Sequence, residues 1–211
     1  FESDLHLFGP LDQEIPFALM GNDGMARDLF SRIVHGSRIS LSIGLVGVTI
    51  TFTLGMIVGG ISGYLGGLAD MIIQRVIEFL RSVPNIPLWM GLAAAVPSDW
   101  PPLRIYFSIT VILSVIGWTG LARSVRGRFL ALREEDFVIC ARLDGASEYR
   151  VIMRHMVPSF ASHMIASITL AIPGMILSET SLSFLGLGSQ PPQADLGSML
   201  GEGRKLLITA P

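Results

Sequence analysis

The chain has 211 residues, of which half are hydrophobic and only 15% charged, and its mean hydropathy is +0.58; this excludes an ordinary soluble domain and marks a membrane protein. A net charge of -2 leaves no overall basic field to gather nucleic acid. The one cysteine, Cys140, excludes an internal disulfide framework.

Residues 1–38 are polar and acidic in balance, with Glu2, Asp4, Asp12, Glu14, Asp23 and Asp28 against Arg27, Arg32 and Arg38. They read as an external loop leading into a helix, with Asp23 placed to cap a short helix that carries Leu29, Ile33 and Val34 on one side. Glu2 and Asp4 stand where a signal peptide would need basic residues. From Ile39 to Ala69 no residue is charged, which exceeds the roughly 20 apolar positions that cross a bilayer. A first span is expected over about 39–65. Gly55, Gly59, Gly63 and Gly67 recur every fourth residue, a ladder that lets a second helix backbone approach closely. Tight helix packing is the favoured reading of that ladder over the lining of a permeation path.

A second span is expected over about 71–96. Asp70, Arg75, Glu78 and Arg81 punctuate its start, Arg75 and Glu78 stand at i,i+3 where they can pair, and snorkelling to the interface is preferred over a gating role for these charges. Pro84 and Pro87 should bend or break this helix, so both are candidate hinge or gate residues. Asp99-Trp100-Pro101-Pro102 reads as an interfacial turn, and Ile105 to Ala122 supplies a third span without a charge. A fourth runs from about 160 to 185, interrupted by Pro173-Gly174, the second pair of candidate hinge residues, with Glu179 toward its outer end. A membrane carboxylate is costly enough to need protein or water around it. Gly186 onward reads as an external loop or re-entrant turn, followed by an apolar run that begins at Leu206.

Between the third and fourth spans lies a loop, 123–158, with seven arginines (123, 126, 128, 133, 142, 150 and 154) against five acids (134, 135, 136, 144 and 148). Short Arg-rich loops stay in the cytoplasm. The turn near Gly66 to Asp70 is then also inside, and the N-terminal loop and the 97–104 turn outside. Asp136 and its acidic neighbours open a helix at its positive end, Phe137, Cys140 and Ala141 share a face, Gly145 breaks the helix or takes a positive φ, and Ser147 can cap a second short helix. Two short helices at an angle would form a knob able to dock in a groove.

Familiar chemistries are missing from the pattern. A Walker A loop needs Lys followed by Ser or Thr, whereas the one lysine, Lys205, follows Arg204 and precedes Leu206. The histidines at 6, 35, 155 and 163 form no HExxH pair, and no GxSxG elbow occurs. Hydrolysis or proton transfer by Glu179 would lack a visible partner residue.

At Ile139-Cys140-Ala141, Gly145 and His155-Met156-Val157-Pro158 the chain resembles the permease subunits of binding-protein-dependent ABC importers, whose cytoplasmic signature is Glu-Ala-Ala, three residues, Gly, nine residues, Ile, one residue, Leu-Pro. Ala141, Gly145 and Pro158 match; Ile139, Cys140, His155 and Val157 depart from it. The dipeptide and oligopeptide branch is closer: Ala141-Arg142, Gly145-Ala146-Ser147, Arg154-His155 and Pro158 match its pattern, while Cys140 and Asp144 differ. Ser181-Leu182-Ser183-Phe184-Leu185-Gly186-Leu187-Gly188, Pro191-Pro192 and Gly197-Ser198-Met199-Leu200 resemble its last external loop. Gly21-x-Asp23 with Arg27-Asp28 and Ser31-Arg32 resembles the loop after its first span, although Ala26 stands where Gly is usual.

The resemblance implies an all-α type I ABC importer transmembrane domain over 39–211, with about four spans here and one more expected on each side. It implies a permease in the inner membrane of a prokaryote, paired with a second permease subunit, two ATPase subunits and an external solute-binding protein. The partner ATPases, not this chain, would bind ATP and Mg. Cys140, Ala141, Arg142, Gly145, Ala146, Ser147, Arg154, His155 and Pro158 become the expected ATPase-coupling residues. Di- or oligopeptides are the expected cargo, with oligosaccharides or nickel as alternatives; the differing class is a passive channel or membrane scaffold.

Overall fold

The computed structural model describes residues 19–23, 27–97, 99–185 and 196–209. Glu2, Asp4, His6, Asp12, Glu14, Ala26, Gly186, Leu187, Gly188, Pro191 and Pro192 lie outside the described residues. Among the described residues the regular elements are helical: α1 (Leu29–Leu65), α2 (Gly67–Ser82), α3 (Asn85–Ala94), α4 (Pro102–Leu132), α5 (Asp136–Leu143), α6 (Glu148–Arg150), a π-helical turn (Val151–Met156), α7 (Val157–Ser159), α8 (Ala161–Phe184) and α9 (Leu196–Thr209).

Helix α1 begins ten residues before the expected first span. Its cap is Asp28, not Asp23: the Asp28 carboxylate accepts from the backbone N–H of Phe30 at 3.2 Å and of Ser31 at 2.9 Å. The Ser31 hydroxyl and these N–H groups hold that carboxyl below its ordinary range. At 37 residues the helix is about 55 Å long, well beyond a bilayer core of about 30 Å. It stops because Gly66 and Gly67 take φ of +64° and +53°, conformations in which a Cβ would clash with the backbone. Gly67 therefore belongs to the turn and not to the glycine ladder.

The expected second span is not one helix. Pro84 cannot donate a backbone hydrogen bond and forces Val83 into extended geometry, φ -91° and ψ 132°. The segment is thereby divided into α2, of 16 residues, and α3, of 10. Pro87 is absorbed in the first turn of α3, where N–H groups have no helical acceptor anyway. Among the described residues three helices are long and apolar enough to cross a membrane: Leu29–Leu65, Phe107–Leu132 and Ala161–Phe184. Helix α8 continues through Pro173-Gly174 without interruption, and α9 starts at Leu196, inside the stretch expected to be loop.

Small residues set the packing. Buried positions of α1 include Ser40, Gly44, Gly47, Thr51, Gly55, Gly59 and Gly63, close to one per turn on one face. A Cβ on Gly59 would lie 2.4 Å from the Ala122 carbonyl oxygen, and one on Gly63 2.6 Å from that of Arg126. Backbone meets backbone along α1 and α4, and the contacts advance in the same direction on both, so the two helices run parallel. Helix α8 packs on the opposite course, with Ile176 against Gly44 and Met175 against Gly47. Two apolar clusters result. One joins Val48, Ile109, Leu113, Met175 and Leu182; the other gathers Val125, Phe129, Val138, Val151, Met156 and Phe160. The remaining faces expose Leu45, Ile57, Leu68, Met71, Phe79, Leu170 and Leu177, as suits lipid or a protein neighbour.

Candidate functional site: a knob at the base of α4

The loop expected over 123–158 is mostly structured, and its first part is helix. Arg123, Arg126 and Arg128 belong to α4, which runs on to Leu132. Asp136 sits in the first turn of α5, where a carboxylate favours the positive helix end. The buried face of α5 is Val138 and Ala141, not Phe137, Cys140 and Ala141. Phe137 and Cys140 are exposed.

Helix α5 ends in a Schellman motif. The Ala146 N–H donates to the Ala141 carbonyl at 3.1 Å, and the Gly145 N–H donates to that of Arg142 at 3.0 Å. Gly145 has φ +76°. A Cβ there would meet nothing within 4 Å, so the requirement for glycine is conformational rather than spatial. Ala141, Gly145 and Ala146 are thus three parts of one turn. Ser147 occupies the N-cap of α6 but makes no side-chain capping bond. The π-helical turn then buries Val151 and Met156, and Phe129 of α4 meets Phe160 edge to face at 5.6 Å. The knob is therefore fastened to α4 by apolar packing.

Of the expected coupling residues, Ala141, Ala146, Arg154 and His155 line one open groove of about 270 Å³. Asp144 and Arg150 complete it; both lie within the stretch 140–158, but neither was among the expected coupling residues. Gly145 shapes the groove from the turn. Arg142 lies over the Tyr64 ring, 5.2 Å from its centroid, and so ties the knob to the C-terminal end of α1. Pro158 stands in the first turn of α7. Cys140 and Ser147 contribute nothing to the groove lining.

Ion pairs hold both ends of the bundle. At the end nearest the knob Arg126 of α4 binds both carboxylate oxygens of Asp70, which also accepts from Ser62. The Arg126 guanidinium keeps the Asp70 carboxyl below its usual range. At the other end Arg32 donates to Glu202 of α9 at 2.6 and 3.1 Å and also to Asp23, which Arg27 reaches at 2.8 Å. Glu179, 1% exposed, accepts from Ser40 of α1 at 3.2 Å and from Ser183 at 2.9 Å. Through Ser40 it fastens α8 to α1. Arg75 and Glu78 pair at 3.0 Å on the surface, where such a pair contributes little. His163 meets Ser124 at 2.9 Å.

The chain is similar to several known permeases. The dipeptide transport system permease protein DppC of Bacillus subtilis is 37% identical over 189 residues, 90% of this chain and 57% of that protein. The oligopeptide transport system permease protein OppC of Haemophilus influenzae is 36% identical, covering 92% of this chain and 61% of its own length. The glutathione transport system permease protein GsiD of Pectobacterium atrosepticum is 35% identical, covering 91% and 62%. The chain thus spans about six-tenths of the length of these curated relatives. A family model described as the binding-protein-dependent transport system inner membrane component matches residues 52–210, and the chain belongs to that family.

Proposed function

We propose that this chain is a membrane-spanning permease subunit of an ATP-driven importer, and that di- or oligopeptides are its cargo. The observation that carries the reading is the knob: a Schellman-closed turn at Gly145, built onto α4 and bearing an Arg-lined groove. A packed projection of this kind can transmit movement, because its buried anchors Val138, Val151 and Met156 join it to the apolar cluster around Phe129 of α4.

On this reading residues 123–158 face the cytoplasm of a prokaryote, and the knob docks on one of two ATPase subunits that bind ATP and Mg. A second permease subunit completes the path, and an external binding protein delivers the solute. ATP-driven closure of the ATPases then shifts the helices between outward-facing and inward-facing states. The break at Val83-Pro84, with Pro87 just beyond it, and Pro173-Gly174 within α8 are the positions where the helices would bend. The relatives' transport of dipeptides, oligopeptides and glutathione supports peptide cargo over oligosaccharides or nickel. The test is uptake of radiolabelled trialanine by the assembled complex in proteoliposomes. Uptake that needs ATP and the binding protein supports the proposal; ATP-independent flux points to a passive channel.

A further inference from the structure

The knob is acidic as a whole and cationic at one place. From 133 to 158 it carries four arginines against five acids, and two of the four arginines are engaged. Arg133 pairs with Glu134 at 3.6 Å, and Arg142 lies over Tyr64. Arg150 and Arg154 are exposed and form no ion pair among the described residues. Both line the groove of about 270 Å³, and Asp144 is the one carboxylate in its lining among the described residues. Two guanidiniums beside one carboxylate leave an uncompensated positive charge. Like charges four residues apart on a helix repel, so the stability of this chain gains nothing from the pair.

The backbone assembles the cations. In an α-helix the position that repeats Val151 on the same face is residue 155. The turn over Val151–Met156 is π-helical, bonding five residues back instead of four, and the buried pair becomes Val151 and Met156. His155 is thereby turned out of the core and into the groove with Arg150 and Arg154. Single π-helical turns are rare and recur at functional sites. Apolar side chains flank the groove residues in sequence: Leu143 precedes Asp144, Tyr149 precedes Arg150 and Met153 precedes Arg154, and they are 81%, 74% and 50% exposed. Exposed tyrosine and arginine side by side are the composition of a protein interface. An anionic lipid surface fits less well, because it would repel the five acids of the same knob.

We infer that the groove binds one carboxylate side chain of the ATPase subunit, held between Arg150 and Arg154, with Leu143 and Tyr149 packing on apolar surface around it. A carboxylate has lone pairs enough to accept from both guanidiniums. Together with Asp144 it brings the groove to neutrality. The inference rests on the importer reading and names the chemistry by which the knob is gripped. Arg150, outside the motif residues, is an essential part of that grip.

The experiment uses the complete permease pair in phosphatidylcholine nanodiscs, with its own ATPase subunits titrated in at several salt concentrations. Arg150→Gln combined with Arg154→Gln should weaken ATPase binding about tenfold or more, the effect of losing a charge-assisted bond, and should flatten the dependence of affinity on salt. Tyr149→Ala should weaken binding with the salt dependence intact. Unchanged affinity in the double variant, or a loss that leaves its salt dependence intact, overturns the inference and spares the importer reading. A loss that appears only when phosphatidylglycerol is added to the nanodiscs assigns the groove to lipid headgroups and also overturns it. Arg150→Lys keeps the charge and should bind within about threefold of the unaltered complex; its amine should be joined by a carbodiimide to a carboxylate of the ATPase subunit. A cross-link to Asp144 of the same chain, or none, contradicts the inference. If the unaltered permease binds no ATPase, the importer reading falls and takes this contact with it.

Discussion

Replacing Gly145 isolates the mechanical role of the knob, because the position is open in space and restricted only in backbone conformation. An alanine there creates no collision with a neighbour. It must hold φ near +76°, which costs an L-residue with a Cβ about 1–2 kcal/mol. That cost falls on the turn whose two bonds, Ala146 to Ala141 and Gly145 to Arg142, set the angle between α5 and α6. If docking needs the native angle, the competent fraction falls by about 5–30-fold. Asparagine tolerates the left-handed region better than alanine. Gly145→Asn should therefore recover most of what Gly145→Ala loses, although its side chain is larger. The assay is copurification of the ATPase subunit and ATP-driven uptake, with permease abundance as the control. An asparagine variant no better than alanine would refute the conformational argument, as would an alanine variant that couples normally.

The packing carries three further expected outcomes. Asp70→Asn removes a two-pronged charged pair with Arg126 and should lower stability in detergent by about 2 kcal/mol at neutral pH. Because the folded carboxyl titrates below its unfolded value, the wild-type contribution is complete above about pH 4 and is lost as pH falls further; thermal unfolding against pH should show a flatter profile for the variant. Gly59→Ala places a Cβ 2.4 Å from a backbone oxygen that cannot move aside, so α1 and α4 must separate, at a cost of about 1–3 kcal/mol. Gly60→Ala, whose Cβ would sit 3.5 Å from the Phe129 ring, should be close to neutral in the same unfolding assay. Arg32→Glu should loosen the clasp to Glu202, and adding Glu202→Arg should restore at least part of the lost melting temperature, since the two side chains bond directly.

Much of this fold is visible in composition because hydrocarbon imposes a simple rule: long uncharged runs must be helical. The first, third and fourth apolar runs obey it. The 82–98 run is helical only over Asn85–Ala94 and is cut from α2 at Val83, because Pro84 outweighs its lack of charge and hydropathy alone has no term for a missing N–H. The glycine spacing anticipated close helix contact, but which helix would arrive, and that it would run parallel, depends on tertiary arrangement. Gly145 was legible as a turn. The buried face of α5 was not: residues 137 to 141 are all apolar or small, so an eight-residue helix offers no unique inward side. The bond between Arg32 and Glu202 spans 170 positions, and no local pattern announces it.

The central claim is that force enters through the knob and leaves as solute movement. It is tested most directly by joining the two readings in one preparation: ATP hydrolysis and trialanine uptake, measured together in proteoliposomes for the unaltered complex and for Gly145→Ala. The account predicts that hydrolysis continues in the variant while uptake per ATP falls several-fold. Uptake that stays proportional to hydrolysis would contradict it.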